Sequence, residues 1–305
     1  MIVPNRRQIV YRSLMYGGWS LVAMVAYDIA IVILYQSGHL KWKALFQIPV
    51  SLFGSAIGVI LAFRNSSSYA RWWEARTLWG AIVNNCRSVA REVTTLLLPT
   101  SPQEEGEVKE TQRRLVYLQI AWVHALRQHL RKQPPWDEIG RLLTEEDLKE
   151  LQGQQNVPVA LQQKMSFILR DALNRGWINM TQWLAIDQNI DDLLDAQGGS
   201  ERIKNTPMPV QYDYFPQICV YIFELLLPLA MVSILGWFTP LGSTLVSFIF
   251  IALNRIGRDL EDPFNNEIYD IPLTSMCVMI EINLRQQLGE TDVPKPLQPV
   301  KGVLW

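Results

Sequence analysis

Hydrophobic and polar positions are distributed along this chain in blocks. From Ser13 to Gln36 the only formal charge is Asp28, and from Ala44 to Phe63 there is none. Each block has about the twenty apolar residues that a bilayer crossing takes, so both are predicted as membrane helices. Between Glu224 and Arg255 runs a longer uncharged stretch, interrupted by "GWFTPLG" at Gly236 to Gly242. Gly and Pro there mark a turn, and with the apolar approach from Phe215 the pattern predicts two further spans joined by a tight hairpin. From Arg64 to Val210 the pattern is helical but aqueous. Leu115, Leu118, Trp122, Leu126 and Leu130 recur at three- and four-residue steps and form one apolar stripe, with Arg113, Arg127 and Lys132 elsewhere. "SPQEEGE" supplies a loop with helix-initiating acids, "TEED" at Thr144 an N-terminal cap, and "QGGSER" near Gly198 a stop. No strand-like alternation of useful length and no internal repeat is present. The expected fold is therefore an all-α membrane protein with four transmembrane helices and a large cytoplasmic helical bundle. Its expected divisions are 1–64 (N-terminal segment and first two spans), 65–210 (helical region), 211–257 (last two spans) and 258–305 (C-terminal segment and tail).

Charge adds sidedness. Arg6, Arg7, Arg12, Arg64, Arg71 and Arg76 fall on one side of the predicted spans, against Lys41 and Lys43 in the short first loop and no basic residue in the second. The positive-inside rule then puts both termini and the middle segment in the cytoplasm of a multi-pass inner (plasma) membrane protein. A cleavable signal peptide competes for the first segment, but the apolar stretch is too long for such a core and no small-x-small cleavage site follows. Lys and Arg number 28 against 29 Asp and Glu, with no concentrated basic face, which argues against nucleic acid as a partner. Cys86, Cys219 and Cys277 are far apart and have no CxxC spacing, so no disulfide is implied. His124 and His129 fall on different helix faces, and no metal site is expected. Walker, GxGxxG, HExxH and GxSxG motifs are missing, so an enzyme is not expected. Of 11 Trp, those at 72, 73, 79, 122, 136, 177 and 183 lie outside the spans. They are either bundle core or surface covered by other subunits, and oligomerisation is the natural expectation.

Two blocks carry a family resemblance. "FRNSSSYARWWEAR" (Phe63 to Arg76), followed by "LWG", and "LEDPFNNEIYDIPL" (Leu260 to Leu273) after the last span resemble the bestrophin family, most closely its prokaryotic branch. "TPMP" at Thr206 also fits, and the resemblance covers nearly the whole chain in the right order around four spans. It implies a homopentameric ion channel lying in the bilayer, with one axial pore for permeant monovalent ions and a narrow neck lined by the second membrane helix. The neck positions step by four and end at the Phe that opens the arginine block, which gives Phe63, Val59 and Ser55. Steps of four drift only about 40° on an α-helix, so the three share a face. An apolar constriction of this kind gates by dewetting and needs no ion-binding group. Ser55 departs from the family's apolar residue and makes the outermost ring wetter. The small residues of "GSAIG" (Gly54 to Gly58) let membrane helices approach closely.

The resemblance also implies a second, cytoplasmic aperture at Thr181. Immediately afterwards Asp187, Asp191 and Asp195 repeat at four-residue spacing, with Asp192 beside them. Repeated around an axis they would form acidic rings favouring cations, and a solvated outer face explains them equally well. The reading leans to a monovalent cation such as sodium, with a chloride or other anion channel of the same architecture as the alternative. Animal bestrophins hold calcium with an acidic run after Asp-Pro-Phe. Here that place reads "NNEIYD", with only Glu267 and Asp270, so no calcium clasp of that type and no cofactor are expected, even with Glu261 or Asp262 nearby. Asp-Pro-Phe would instead break the helix and pin the cytoplasmic tail through Phe264. Two readings from other classes stay open. Asp28 and Glu224 inside predicted spans would suit a proton-coupled secondary transporter, or would lie near helix ends or pair between helices. The "PKPLQP" tail (Pro294 to Pro299) would suit a membrane-anchored interaction scaffold, or would be a mobile end.

Overall fold

Helix-forming runs, broken by proline, glycine and short polar clusters, organise the chain. The computed structural model describes residues 18–38 and 49–305. Arg6, Arg7, Arg12, Lys41 and Lys43, together with the first residues of both N-terminal spans, lie outside the described residues. In chain order the helices are α1 (Gly18–Gln36), α2 (Val50–Leu96), α3 (Glu105–Leu130), α4 (Trp136–Ile139), α5 (Glu145–Leu151), α6 (Val157–Asn174), α7 (Met180–Asn205), α8 (Val210–Leu235), α9 (Thr239–Asp259) and α10 (Leu273–Gln287). The one extended pairing among the described residues is a bridge between Val300 and Val303, so the fold is all-α. The chain divides into two compact units, and the division falls inside α2, between Trp72 and Trp73.

The described part of the membrane unit comprises 18–38, 49–72 and 207–262. Three stretches are long and apolar enough to cross a bilayer, 18–36, 50–96 and 210–259, and the last holds both α8 and α9. The turn between those two is short because Gly236 takes φ +51, a conformation open to glycine, and ends α8. The Thr239 hydroxyl then donates to the Gly236 carbonyl at 2.6 Å and starts α9. Gly242 keeps the hairpin tight, since a Cβ there would meet Leu235 Cδ1 at 2.9 Å. The core joins Val50, Ile57 and Leu61 of α2 to Val220, Phe223 and Leu227 of α8, and a second cluster joins Ile31 and Val32 of α1 to Val232. Pro216 and Pro228 sit inside α8; each removes one ladder hydrogen bond, which a neighbouring helix can offset. Tyr27 of α1 donates its hydroxyl to the Leu225 carbonyl at 3.0 Å in this region.

The other unit comprises 73–206 and 263–305 among the described residues. All five residues of the expected α3 stripe, Leu115 to Leu130, are buried. The stripe does not mark one face, however: α3 is also buried at Gln119, Val123, His124 and Arg127, so it is the central helix of a bundle. Arg127 reaches the inside because Glu138 meets it at 2.5 Å. Nearby, Arg141 donates two hydrogen bonds, 2.7 and 2.6 Å, to the fully buried Glu281, which also meets His124 Nε2 at 2.9 Å. Burial works to raise the Glu281 carboxyl, but the hydrogen bonds from Arg141 and His124 outweigh it and hold the group down at about 2. His124, followed by Arg127, holds Glu138 at about 2 against a smaller opposing effect of burial.

The expected stop at Gly198 is overturned, because α7 runs on to Asn205. Gly199 serves packing instead: a Cβ there would lie 2.9 Å from Leu78 Cδ1. Trp79, Trp122 and Trp177 are core, while Trp73 is exposed. The segment after "PKPLQP" is not a free end. Val303 is buried, and Ser275 N–H in the first turn of α10 donates to the Trp305 carbonyl at 2.7 Å.

Candidate functional site

Every third or fourth residue of α2 that is buried, Ile57, Leu61, Arg64 and Ser68, points into the membrane unit. The opposite face is open in the single chain and carries Leu52, Ser55, Ala56, Val59, Ala62, Phe63, Ser66, Ser67 and Ala70. Ser55, Val59 and Phe63 thus share one outward stripe, and Val59 and Phe63 are 56% and 68% exposed. Around them the stripe is made of Ser and Ala, with the exposed Leu52 at its outer end. The exposed faces of the other spans are different, with Phe215, Ile218, Tyr221 and Leu225 on α8 and Leu241, Leu245 and Ile249 on α9. Such bulky surfaces suit lipid, whereas from Ser55 to Ala70, about four turns, the α2 stripe carries no charge and only two large projections. Two of its hydroxyls are turned back to the backbone: Ser55 Oγ donates to the Ser51 carbonyl at 2.9 Å and Ser67 Oγ to the Phe63 carbonyl at 3.0 Å. Of the two glycines of "GSAIG", Gly54 supports close approach, since a Cβ there would lie 3.2 Å from the Phe223 ring, while Gly58 has open space.

The residue after Phe63 fixes this stripe. Arg64 is fully buried. Its Nη1 donates to Asn254 Oδ1 at 2.6 Å and to the Asn254 carbonyl at 3.2 Å, and its Nη2 donates to Asp213 Oδ1 at 2.6 Å. Glu261 stands 3.8 Å from the same nitrogen. One planar fork therefore ties α2 to α8 and α9, a task that suits guanidinium geometry. Asn65 adds a hydrogen bond from Nδ2 to the Leu253 carbonyl at 3.0 Å, across the gap that Gly257 leaves open. Arg71 Nε donates to the Glu261 carbonyl at 3.1 Å. Sequence reasoning read Arg64 as part of a border between lipid and water and missed this clamp; a positive charge directly after an apolar run is a signal it shares with any span end.

On α7, Asn179 and Gln182 cap the first turn reciprocally, 2.9 Å in each direction, and hold its start. Thr181 is exposed there. Asp191 and Asp195 are exposed, and Asp187 is partly buried. Burial and the Asp191 charge raise the Asp187 carboxyl above the usual carboxylate range. The structure brings the three acids to one outward side of α7, but Thr181 stands on its shoulder. Ten residues of α-helix separate it from Asp191, about 80° around the axis, whereas Leu184 precedes Asp191 by seven residues and falls within about 20°. Leu184 is 55% exposed and is the residue that the spacing argument passed over.

Beyond α9, Asp-Pro-Phe buries Phe264 completely. The next loop closes on itself, with Glu267 N–H donating to Asp270 Oδ2 at 2.9 Å and Ile271 N–H to the Pro263 carbonyl at 3.2 Å. The buried Asp270 carboxylate therefore braces its own loop, and Glu267 is exposed. Among the described residues no three His, Cys, Asp or Glu side chains gather in a metal-holding group. In the spans, Asp28 is fully buried and accepts from the Thr244 hydroxyl at 3.2 Å, while Glu224 is buried with Oε1 unpartnered among the described residues.

Comparison with known proteins gives one consistent result. Residues 8–286 match the family model described as Bacterial/Fungal Bestrophin protein. A voltage-dependent anion channel-forming protein of Salmonella typhi, YneE, is 36% identical over 90% of this chain and 87% of its own length. A protein of the same description from Synechocystis sp. is 30% identical over 80% of this chain and 79% of its own. The crystal structure of a bacterial bestrophin homologue from Klebsiella pneumoniae matches with a TM-score of 0.83 at 32% identity, covering 89% of this chain and 98% of that one.

Proposed function

We propose that this chain, which belongs to the bacterial and fungal bestrophin family, is the subunit of a homopentameric channel that passes monovalent ions passively through an apolar neck. The observation that carries the reading is the outward stripe of α2, in which Val59 and Phe63 project from a face that is otherwise built of small residues between Ser55 and Ala70. Five copies facing an axis would leave the two side chains as the narrowest rings. A ring of Val and one of Phe hold water poorly when narrow, so a small change in width switches the neck between dry and conducting. Ser55, whose hydrogen is engaged by Ser51, offers lone pairs to water at the outer ring. The clamp at Arg64 sets the rotation of α2, and with it the width of the neck. The bias of Lys and Arg supports a topology with both termini and the bundle unit in the cytoplasm and the spans in the cell's inner membrane.

Ion sign rests on separate observations. The acidic outward face of α7, with Leu184 or Thr181 as the aperture above it, favours cations such as sodium if it lines the water path. A second reading, an anion channel, is favoured by the description of the relatives as anion channel-forming proteins. The neck itself carries no charge and accepts either sign. Purified protein in planar bilayers under a salt gradient tests both levels. Unitary currents support the channel, and the sign of the reversal potential selects between cation and anion. A slow flux with no unitary current would support a transporter with Asp28 or Glu224 as the coupling acid, and no flux under any gradient would support a scaffold.

A further inference from the structure

Asp28 is the only formal charge in α1, and its side chain is fully buried. No ion pair to it exists among the described residues. Its oxygens face α9. Thr244 donates to Oδ2 at 3.2 Å, and Ser243 faces the same carboxylate. Oδ1 of Asp28 and Oγ of Ser243 and of Ser247 are all buried and unpartnered among the described residues. Ser247 follows Ser243 by one turn on the same side of α9. Helical serines elsewhere in this chain, Ser55, Ser67 and Ser200, turn their hydroxyls back to the carbonyl four residues earlier. Ser243 and Ser247 do not, although they are as fully buried as Ser200. The surround is apolar: Leu21, Val25, Pro240, Leu241, Leu245 and Phe248 line a groove with Thr244.

We propose that Asp28, Ser243, Thr244 and Ser247 form a binding site for one monovalent alkali cation of the sodium class within the contact of α1 and α9. The donor set is all oxygen, which suits a hard cation rather than a transition metal. One carboxylate balances one positive charge; a divalent ion would leave net charge in an apolar surround. A proton on Asp28 adds one donor and can serve one acceptor, whereas a cation attracts the carboxylate and several hydroxyl oxygens at once. The site uses no residue of the α2 stripe, so the ion is a fixture that locks α1 to α9 and not an ion in transit.

Purified protein in detergent, with sodium replacing choline at constant ionic strength and fixed pH, tests this by thermal unfolding and by binding of radiolabelled sodium. The expected result is a midpoint that rises with sodium and a stoichiometry of one ion per chain. Both are lost in Asp28→Asn, and the apparent affinity weakens about tenfold in Ser243→Ala. Should Asp28→Asn fail to fold, Ser243→Ala and Ser247→Ala carry the test alone. Indifference to sodium, a midpoint that follows pH alone, or sodium stabilisation that persists unchanged in the variants would each overturn the site. Conduction is not read, so the result stands or falls separately from the pore.

Discussion

Replacing Arg64 examines the link between packing and gating most directly. The guanidinium is fully buried and makes three hydrogen bonds, two to Asn254 and one to Asp213. Removing one partner of a buried ion pair costs about 3–5 kcal/mol. Asp213 and Glu261 keep 25% and 21% of their side-chain surface exposed, so water can rescue the abandoned carboxylates. The cost of Arg64→Gln therefore falls at or below the lower end of that range, about 2–3 kcal/mol. Arg64→Lys keeps the charge but replaces the fork with a point donor that cannot span Asn254 and Asp213 together, so an intermediate loss is expected. Thermal unfolding of the detergent-purified protein should show a midpoint lowered by several degrees for Gln and by less for Lys. Because Phe63 is the adjacent residue, both variants should also change open probability in bilayer recordings. The reversal potential should stay where it is, since no charge in the ion path has changed. A Lys variant indistinguishable from the parent in midpoint and open probability would refute the reasoning, because a single buried positive charge would then suffice and the planar fork would hold nothing.

The neck reading predicts that Phe63→Ala and Val59→Ala each raise conductance or open probability; unchanged unitary currents in both would remove α2 from the constriction. Asp191→Asn combined with Asp195→Asn should move the reversal potential toward anions if the outward face of α7 lines the path, and no movement would assign those acids to a solvated surface. In the bundle unit, Glu281 and Glu138 are held at about 2, well below the ordinary glutamate value. Groups depressed in the folded state stabilise it fully above the unfolded value near 4.5 and lose that contribution as pH falls toward 2. Acid titration followed by tryptophan fluorescence should show destabilisation within that window, on the order of 3 kcal/mol from the buried Glu281. Glu281→Gln should flatten the profile there, and an unaltered profile would mean that the network does not act through this carboxylate.

What sequence patterning could report, and what it could not, differ by the distance over which the deciding contact acts. Uncharged runs show membrane helices because each residue contributes its own transfer free energy, and the α3 stripe shows because burial of Leu115 to Leu130 repeats with the helix period. Arg127 was misplaced because its burial depends on Glu138, which lies on another element. Gly198 and Gly199 suggested a stop because glycine weakens a helix locally, but Leu78 from α2 occupies the space that a side chain would take. The tail suggested a free end because proline and lysine are poor core formers, yet Val303 is buried and Trp305 is bonded to α10. The neck positions came from resemblance alone, since steps of four occur on every helix. Structure adds the asymmetry that spacing lacks, two large side chains on a stretch of small ones between Ser55 and Ala70.

That asymmetry arises from where the membrane unit places its polar groups. Tyr27 is bonded to Leu225, Asp28 to Thr244, Arg64 to Asp213 and Asn254, and Asn65 to Leu253. Each pair crosses from one helix to another, where a hydrogen bond formed away from water both satisfies the group and fixes the helix. Because the contacts of Arg64 and Asn65 hold α2 from behind, its front from Ser55 to Ala70 need not contribute to holding the chain together and is free to consist of Ser, Ala, one Val and one Phe. A dewetting neck requires that freedom. Charge on the stripe would keep it wet at any width, and bulky side chains throughout would close it permanently, whereas a stiff helix with two projections changes state when its rotation shifts slightly.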